Sequence, residues 1–169
     1  MFVRIWRFFT VAVAALSMGM AFSHALEMPA KIGYDASLWT TLQHSLYQAY
    51  GTVGAVIEVG SVLAAILLAF MVYDRRPAFY FTVLGAACLA AAFAAWVVFV
   101  APVNAAVNTW TDGAIPADWT RFRDQWEYAH AARFVLQLVG FGSLVVSVLA
   151  ETPSEAAAAQ PESRLAHAV

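Results

Sequence analysis

Five side chains in this sequence are of types that together could hold a metal ion: His24, Glu27, Glu58, Glu127 and His130. His24-x-x-Glu27 closes the first apolar run, and Glu127-x-x-His130 opens the last, so the same pair recurs in reversed order. Residues three apart share a helix face and are offset by about 4.5 Å along the axis. On antiparallel helices the reversal puts both histidines at one level and both glutamates at another. Glu58, in the second apolar run, can approach from a third helix. Three carboxylates and two imidazoles suit one or two first-row divalent metals, with iron, manganese and zinc all compatible. In the di-iron carboxylate bundle two helices each give Glu-x-x-His and two others each give a glutamate. Here one pair is inverted, and the third helix offers Asn104 or Asn108 in place of the fourth acid.

Charge balance points the same way. Three carboxylates facing one arginine, Arg133, leave two negative charges uncompensated. A divalent cation would resolve that, and so would protonated carboxyls. An ionisable group inside a membrane costs about 2.5–3.5 kcal/mol on insertion scales, which makes each of these residues a candidate for function.

Other readings of the same residues stay open. Met18, Met20 and Met28 flank His24, and thioethers with imidazole suit Cu(I). Two histidines at one level can ligate haem b axially, with Arg123 or Arg133 for a propionate. Glu58 can pair with Arg133 in a network without metal, the groups can relay protons, or His130 can act as a general base unaided. Arg123, Glu127, His130, Arg133 and Gln137 form one stripe with Trp126 beside it, a wall suited to a planar phenolic or anionic substrate. In that arrangement Arg133 holds an anionic oxygen, and Asn104 is a ligand or a substrate contact. Alternatively Trp119, Trp126 and Tyr128 form an interfacial belt and the arginines meet lipid headgroups.

These residues need helices that cross a bilayer. The chain has 169 residues, 62% of them hydrophobic and 12% charged, against about 25% charged in soluble domains. A spanning helix takes about 20 mainly apolar residues, and four stretches qualify, at about 8–28, 52–73, 78–101 and 126–150. The expected fold is an all-α, integral membrane four-helix bundle in a single domain, residues 1–150. Arg4 and Arg7 precede the first span, and Arg75 and Arg76 sit between the second and third. The positive-inside rule then makes both termini cytoplasmic, with the longer loops 29–51 and 102–123 facing outward and Arg121 and Arg123 counting against that assignment. On this topology His24, Glu27, Glu58, Asn104, Glu127 and His130 all lie in the outer third of the bundle. The start of the chain resembles a signal peptide with Ser23 and Ala25 at a cleavage site, but the run is long for one and the first helix is expected to stay. Residues 151–169 read as a disordered cytoplasmic tail, with His167 solvated. Cys88 is the single cysteine and fits a helix contact. Gly51, Gly54 and Gly60 permit close approach around Glu58, and Gly140 and Gly142 do so deeper down. The net charge of -2 gives no reason to expect a nucleic-acid partner.

"PVNAAVNTW" followed by "PADWTRFRDQWEYAHAARFVLQL" closely resembles the signature of the anthrone-oxygenase-like family of small integral membrane proteins. The residues that carry the resemblance are Pro102, Asn104, Trp110, Pro116, Asp118, Trp119, Arg123, Trp126, Glu127, His130 and Arg133. It covers roughly residues 8 to 150 and is specific over 102–137. It implies four helices and, for characterised fungal members, oxidation of an anthrone to an anthraquinone with dioxygen. Activity transfers less well than fold, and the metal reading rests on the residues above.

The resulting expectation is a multi-pass protein of the bacterial inner (plasma) membrane, acting as an oxygen-dependent oxidoreductase on a small hydrophobic anthrone- or quinol-like molecule. His24, Glu27, Glu58, Glu127 and His130 bind metal, mono- or dinuclear iron foremost, with haem b or copper as alternatives. His130, Arg133 and Asn104 act in catalysis, while Trp126, Arg123 and Arg133 bind substrate. The alternative is a non-enzymatic accessory or assembly subunit, as a homo-oligomer or with a partner membrane subunit.

Overall fold

A backbone in lipid must satisfy its own hydrogen bonds, so apolar runs of spanning length fold as helices. The computed structural model describes residues 1–111 and 113–152; the tail beyond Thr152, with His167, lies outside the described residues. Those residues contain six α-helices and no strand: α1 (Phe2–Lys31), α2 (Ala36–His44), α3 (Ala55–Met71), α4 (Ala78–Ala95), α5 (Ala101–Val107) and α6 (Trp119–Leu149). Two five-residue π-helical turns complete them, Tyr50–Gly54 leading into α3 and Trp96–Val100 joining α4 to α5. Four continuous stretches are long and apolar enough to cross a membrane: Phe2–Lys31, Tyr50–Met71, Ala78–Val107 and Trp119–Leu149. They form a four-helix bundle in which α1 and α4 each pack on both α3 and α6.

The helices outrun the apolar stretches that announce them. α1 passes through Pro29 to Lys31, because a proline so near the helix end removes one hydrogen bond without breaking the span. The third span continues through Pro102 to Val107 behind the Trp96–Val100 turn, where the shifted register leaves the Phe99 carbonyl to accept from Gln125 Nε2 at 2.9 Å. Residues 29–51, expected as a loop, contain α2, whose first turn is capped by Asp35 accepting from the Leu38 amide at 2.8 Å.

The buried face of α1 consists of Arg7, Thr10, Ala14, Ser17, Ala21, His24 and Lys31, a three-four repeat of small and polar residues. Phe8, Val56 and Phe70 point outward with more than 70% exposure. Small and polar inside with large and apolar outside is the pattern of helices packing in lipid, where large apolar side chains gain nothing by being buried. Two apolar clusters bracket the polar groups. Near the chain's amino-terminal end Ala65, Leu68, Val72, Leu89 and Leu144 pack together. At the opposite end Trp39, Tyr47, Val103, Trp110 and Trp126 do so.

The amino-terminal end is tied by charge and by close approach. Arg7 lies 2.7 Å and Arg75 3.3 Å from Glu151, and the Arg7 guanidinium holds the Glu151 carboxyl below its usual range. Gly85 and Gly140 bring α4 and α6 together, with Cys88 at that contact as expected. A Cβ built on Gly85 would lie 2.8 Å from Leu144 Cγ and 3.0 Å from the Gly140 carbonyl oxygen. Gly85→Ala is therefore expected to cost about 1–3 kcal/mol through overpacking, read as a lowered unfolding midpoint in detergent. Gly142→Ala serves as the control, since nothing lies within 4 Å of its Cβ position. Gly51 and Gly60 are equally open and do not mediate the close approach expected of them, whereas Gly54 faces the Met20 side chain at 3.4 Å.

Candidate functional site

The ionisable groups of the spans occupy three levels. At the deepest, Arg133 of α6 meets Glu58 of α3, with its Nη2 2.8 Å from Oε1 and 2.6 Å from Oε2. Arg133 Nε donates to the Ala92 carbonyl at 3.1 Å, ahead of the α4 π-helical turn. Gln137 Nε2 donates to Glu58 Oε1 at 3.1 Å, and Gln137 Oε1 accepts from Ser17 at 3.2 Å. The network around this carboxylate thus links all four spans.

At the shallowest level Lys31 is the organising charge. It is 1% exposed, and its Nζ lies 3.1 Å from Glu127 Oε2 and 3.5 Å from Glu27 Oε2. It also sits 4.5 Å from the Trp126 ring centroid and 4.8 Å from that of Tyr47, a cation–π arrangement. Trp39 Nε1 donates to Glu127 Oε1 at 3.1 Å, and the Tyr47 hydroxyl donates to Glu27. Burial, followed by the neighbouring Glu27, pushes the Tyr47 hydroxyl pKa up, so it stays a donor.

Between these levels the His24 and His130 rings lie side by side, with centroids 4.2 Å apart. Arg133 Nη1 is 3.0 Å from His130 Nδ1. A guanidinium can only donate, so His130 Nδ1 accepts and the ring proton sits on Nε2. His130 Nε2, His24 Nδ1 and Gln43 Nε2 are buried without a hydrogen-bond partner. All three residues line a single cavity of about 280 Å³, together with Glu58, Asn104 and Trp126. Asn104 Oδ1 accepts from Trp126 Nε1 at 2.9 Å, which leaves the Asn104 amide as a further donor at the wall. Buried polar atoms without partners are rare in proteins. Their gathering around one cavity marks a place for a polar ligand.

The reversed motifs therefore do what their spacing predicts: the histidines share a deeper level and the glutamates a shallower one. The metal site expected from them does not assemble. Glu58 faces Arg133 while Glu27 and Glu127 face Lys31, and among the described residues no group of three or more His, Cys, Asp and Glu is placed to hold a metal ion. The physical reason is the cation that the charge balance omitted, since Lys31 lowers the uncompensated negative charge from two to one. For haem b, the two imidazole rings lie directly side by side, with centroids 4.2 Å apart. For copper, Met20 reaches the cavity wall while Met18 and Met28 do not.

Among the expected substrate residues, Trp126 and Arg133 line the cavity and Arg123 does not. Arg123 donates to the Ile32 carbonyl at 2.8 Å and pairs with Asp124 at 2.9 Å, with its guanidinium 5.0 Å from the Trp119 ring centroid. Trp126 is 2% exposed and so is no belt residue. Sequence reasoning missed Lys31, Trp39, Gln43, Tyr47 and Tyr50, all in the stretch read as a loop. Trp39, Gln43, Tyr47 and Tyr50 recur at helical spacing after the Asp35 cap, a signal that was present.

Comparison with protein-family models, curated proteins and solved structures returned no match.

Proposed function

We propose that the chain is a membrane enzyme that removes a proton from a small hydrophobic aromatic substrate, anthrone- or quinol-like, and exposes the resulting anion to dioxygen. The observation that carries this reading is the imidazole pair, with centroids 4.2 Å apart and with His24 Nδ1 and His130 Nε2 buried and unpartnered, on residues that line a cavity inside the bundle. His24 is the base, since no donor occupies either of its nitrogens. His130 Nε2–H and the Asn104 amide donate to the oxygen on which negative charge develops, a role worth about 10²–10³ in rate for one donor. Trp126 offers a ring face. For an anthrone, the methylene carbon and one dioxygen become a carbonyl and one water, which balances without a further reductant. The resemblance of residues 102–137 to anthrone-oxygenase-like proteins supports this chemistry. The arginine end is the cytoplasmic one, and the membrane is a bacterial plasma membrane.

A second reading is favoured by one observation: Ser17, Glu58, Ala92, Arg133 and Gln137 form a hydrogen-bonded network across four spans, which would also suit an accessory subunit that needs only helix register. Oxygen uptake by the purified protein with 1,8-dihydroxyanthrone separates the two. The enzyme reading expects protein-dependent consumption of one dioxygen per anthraquinone formed. Uptake equal to the protein-free rate would leave the accessory reading standing. Elemental analysis of the same sample bears on the metal: stoichiometric iron or copper, lost together with uptake in Glu58→Ala, would replace proton chemistry by a metal centre.

A further inference from the structure

The proposed chemistry does not say how a substrate reaches His24, and the two π-helical turns bear on that. Tyr50–Gly54 packs against α1, whereas Trp96–Val100 packs against α6, yet residues of both turns line the cavity. The two turns thus face the same cavity from α3 and from the α4–α5 stretch. On one side Gly51 and Thr52 are exposed, and a Cβ on Gly51 would meet nothing within 4 Å. On the other, the half-buried Phe93 and Trp96 rings stack with centroids 6.2 Å and planes 9° apart. π-Helical turns inside α-helices concentrate at functional sites. The end of the bundle is covered, with Trp39 of α2 fully buried and His44 Nε2 2.9 Å from the Val107 carbonyl oxygen. The exposed rim of the cavity is formed by Gln48, Gly51, Thr52 and Asn108, with the half-buried Phe93 and Trp96 beside it, and this is the slot left between α3 and the α4–α5 stretch.

We infer that the substrate enters sideways from the outer leaflet and is an amphiphile: a planar phenol or quinol head reaching the histidines, and an apolar tail lying in the slot between Gly51 and the Phe93–Trp96 pair. This rests on the reading of the cavity as a substrate site. Its chemistry fits the slot, because the depth at which the head meets polar donors is also the depth at which two aromatic faces and a glycine leave room for a chain.

The test uses the full chain in phosphatidylcholine nanodiscs with two probes, 2,3-dimethoxy-5-methyl-1,4-benzoquinone and the same quinone bearing a decyl chain, and binding is read as quenching of tryptophan fluorescence. Gly51→Trp puts a bulky side chain at the slot, from a Cβ position that meets nothing within 4 Å. It is expected to weaken the decyl quinone by about tenfold or more while changing the tail-less quinone by less than about twofold. Val53→Trp, on the same turn but exposed and off the cavity wall, is assayed alongside with its unfolding midpoint and guards against a fold defect. Equal effects on the two probes, or none on either, overturn lateral access. Tail-independent binding that His24→Ala still abolishes keeps the site and removes the slot. Failure of both quinones to bind removes slot and substrate site together.

Discussion

Replacing Arg133 with methionine is expected to destabilise the bundle by about 3–5 kcal/mol, the cost of stranding a buried charge. Both Glu58 oxygens face Arg133 Nη2, at 2.8 and 2.6 Å, and only Gln137 would be left to donate to that carboxylate. The cost should come from the stranded acid more than from the lost contact, so Glu58→Leu combined with Arg133→Met is expected to recover most of it. Unfolding of the three proteins in one detergent gives the cycle. A loss below about 1 kcal/mol in the single variant, typical of an exposed pair, would mean that the two groups are not paired in a dry interior. The same substitution also removes the donor from His130 Nδ1, frees the ring to change tautomer, and should lower turnover even in rescued protein.

The second large effect concerns the two imidazoles, whose roles the geometry makes unequal. His24→Ala is expected to lower kcat by about 10²–10⁴, the usual contribution of a general base. His130→Gln, which retains an N–H near the same place, should keep more activity than His130→Phe. The distinction rests on Arg133, because a ring that accepts at Nδ1 presents a proton, and not a lone pair, at Nε2. Parallel losses in all three variants, with kcat and KM moving together, would point to a shared structural role. Retained turnover in His24→Ala would remove the base from the mechanism.

The sequence carried the levels of the polar groups better than their partners. Spacing placed His24 beside His130 and Glu27 beside Glu127, because three residues of helix rise fix that offset whatever the surroundings. Lys31 lies beyond Pro29, where the apolar run stops, yet it follows His24 by seven residues and falls on the same helix face. Without Lys31 in the balance the three acids are short of positive charge, which is what points to a metal. The buried stripe of α1, from Arg7 to Lys31, is legible in hindsight as small or polar residues at three-four spacing. A search for apolar stripes passes over it, because in lipid the large apolar side chains lie on the outside. α2 was missed for a related reason. Nine residues are too few to register as a span, yet Trp39 from that helix bonds Glu127 of α6. The two π-helical turns have no signal in composition.

The clasp formed by Arg7, Arg75 and Glu151 has a mechanical consequence. It fastens the start of α1, the hairpin between α3 and α4, and the foot of α6 to one another, while Thr82 and Ser147 bridge α4 and α6 just above it at 2.7 Å. Both ties stand at the end of the bundle away from the histidines, so a guest seated beside the imidazoles need not part the foundation.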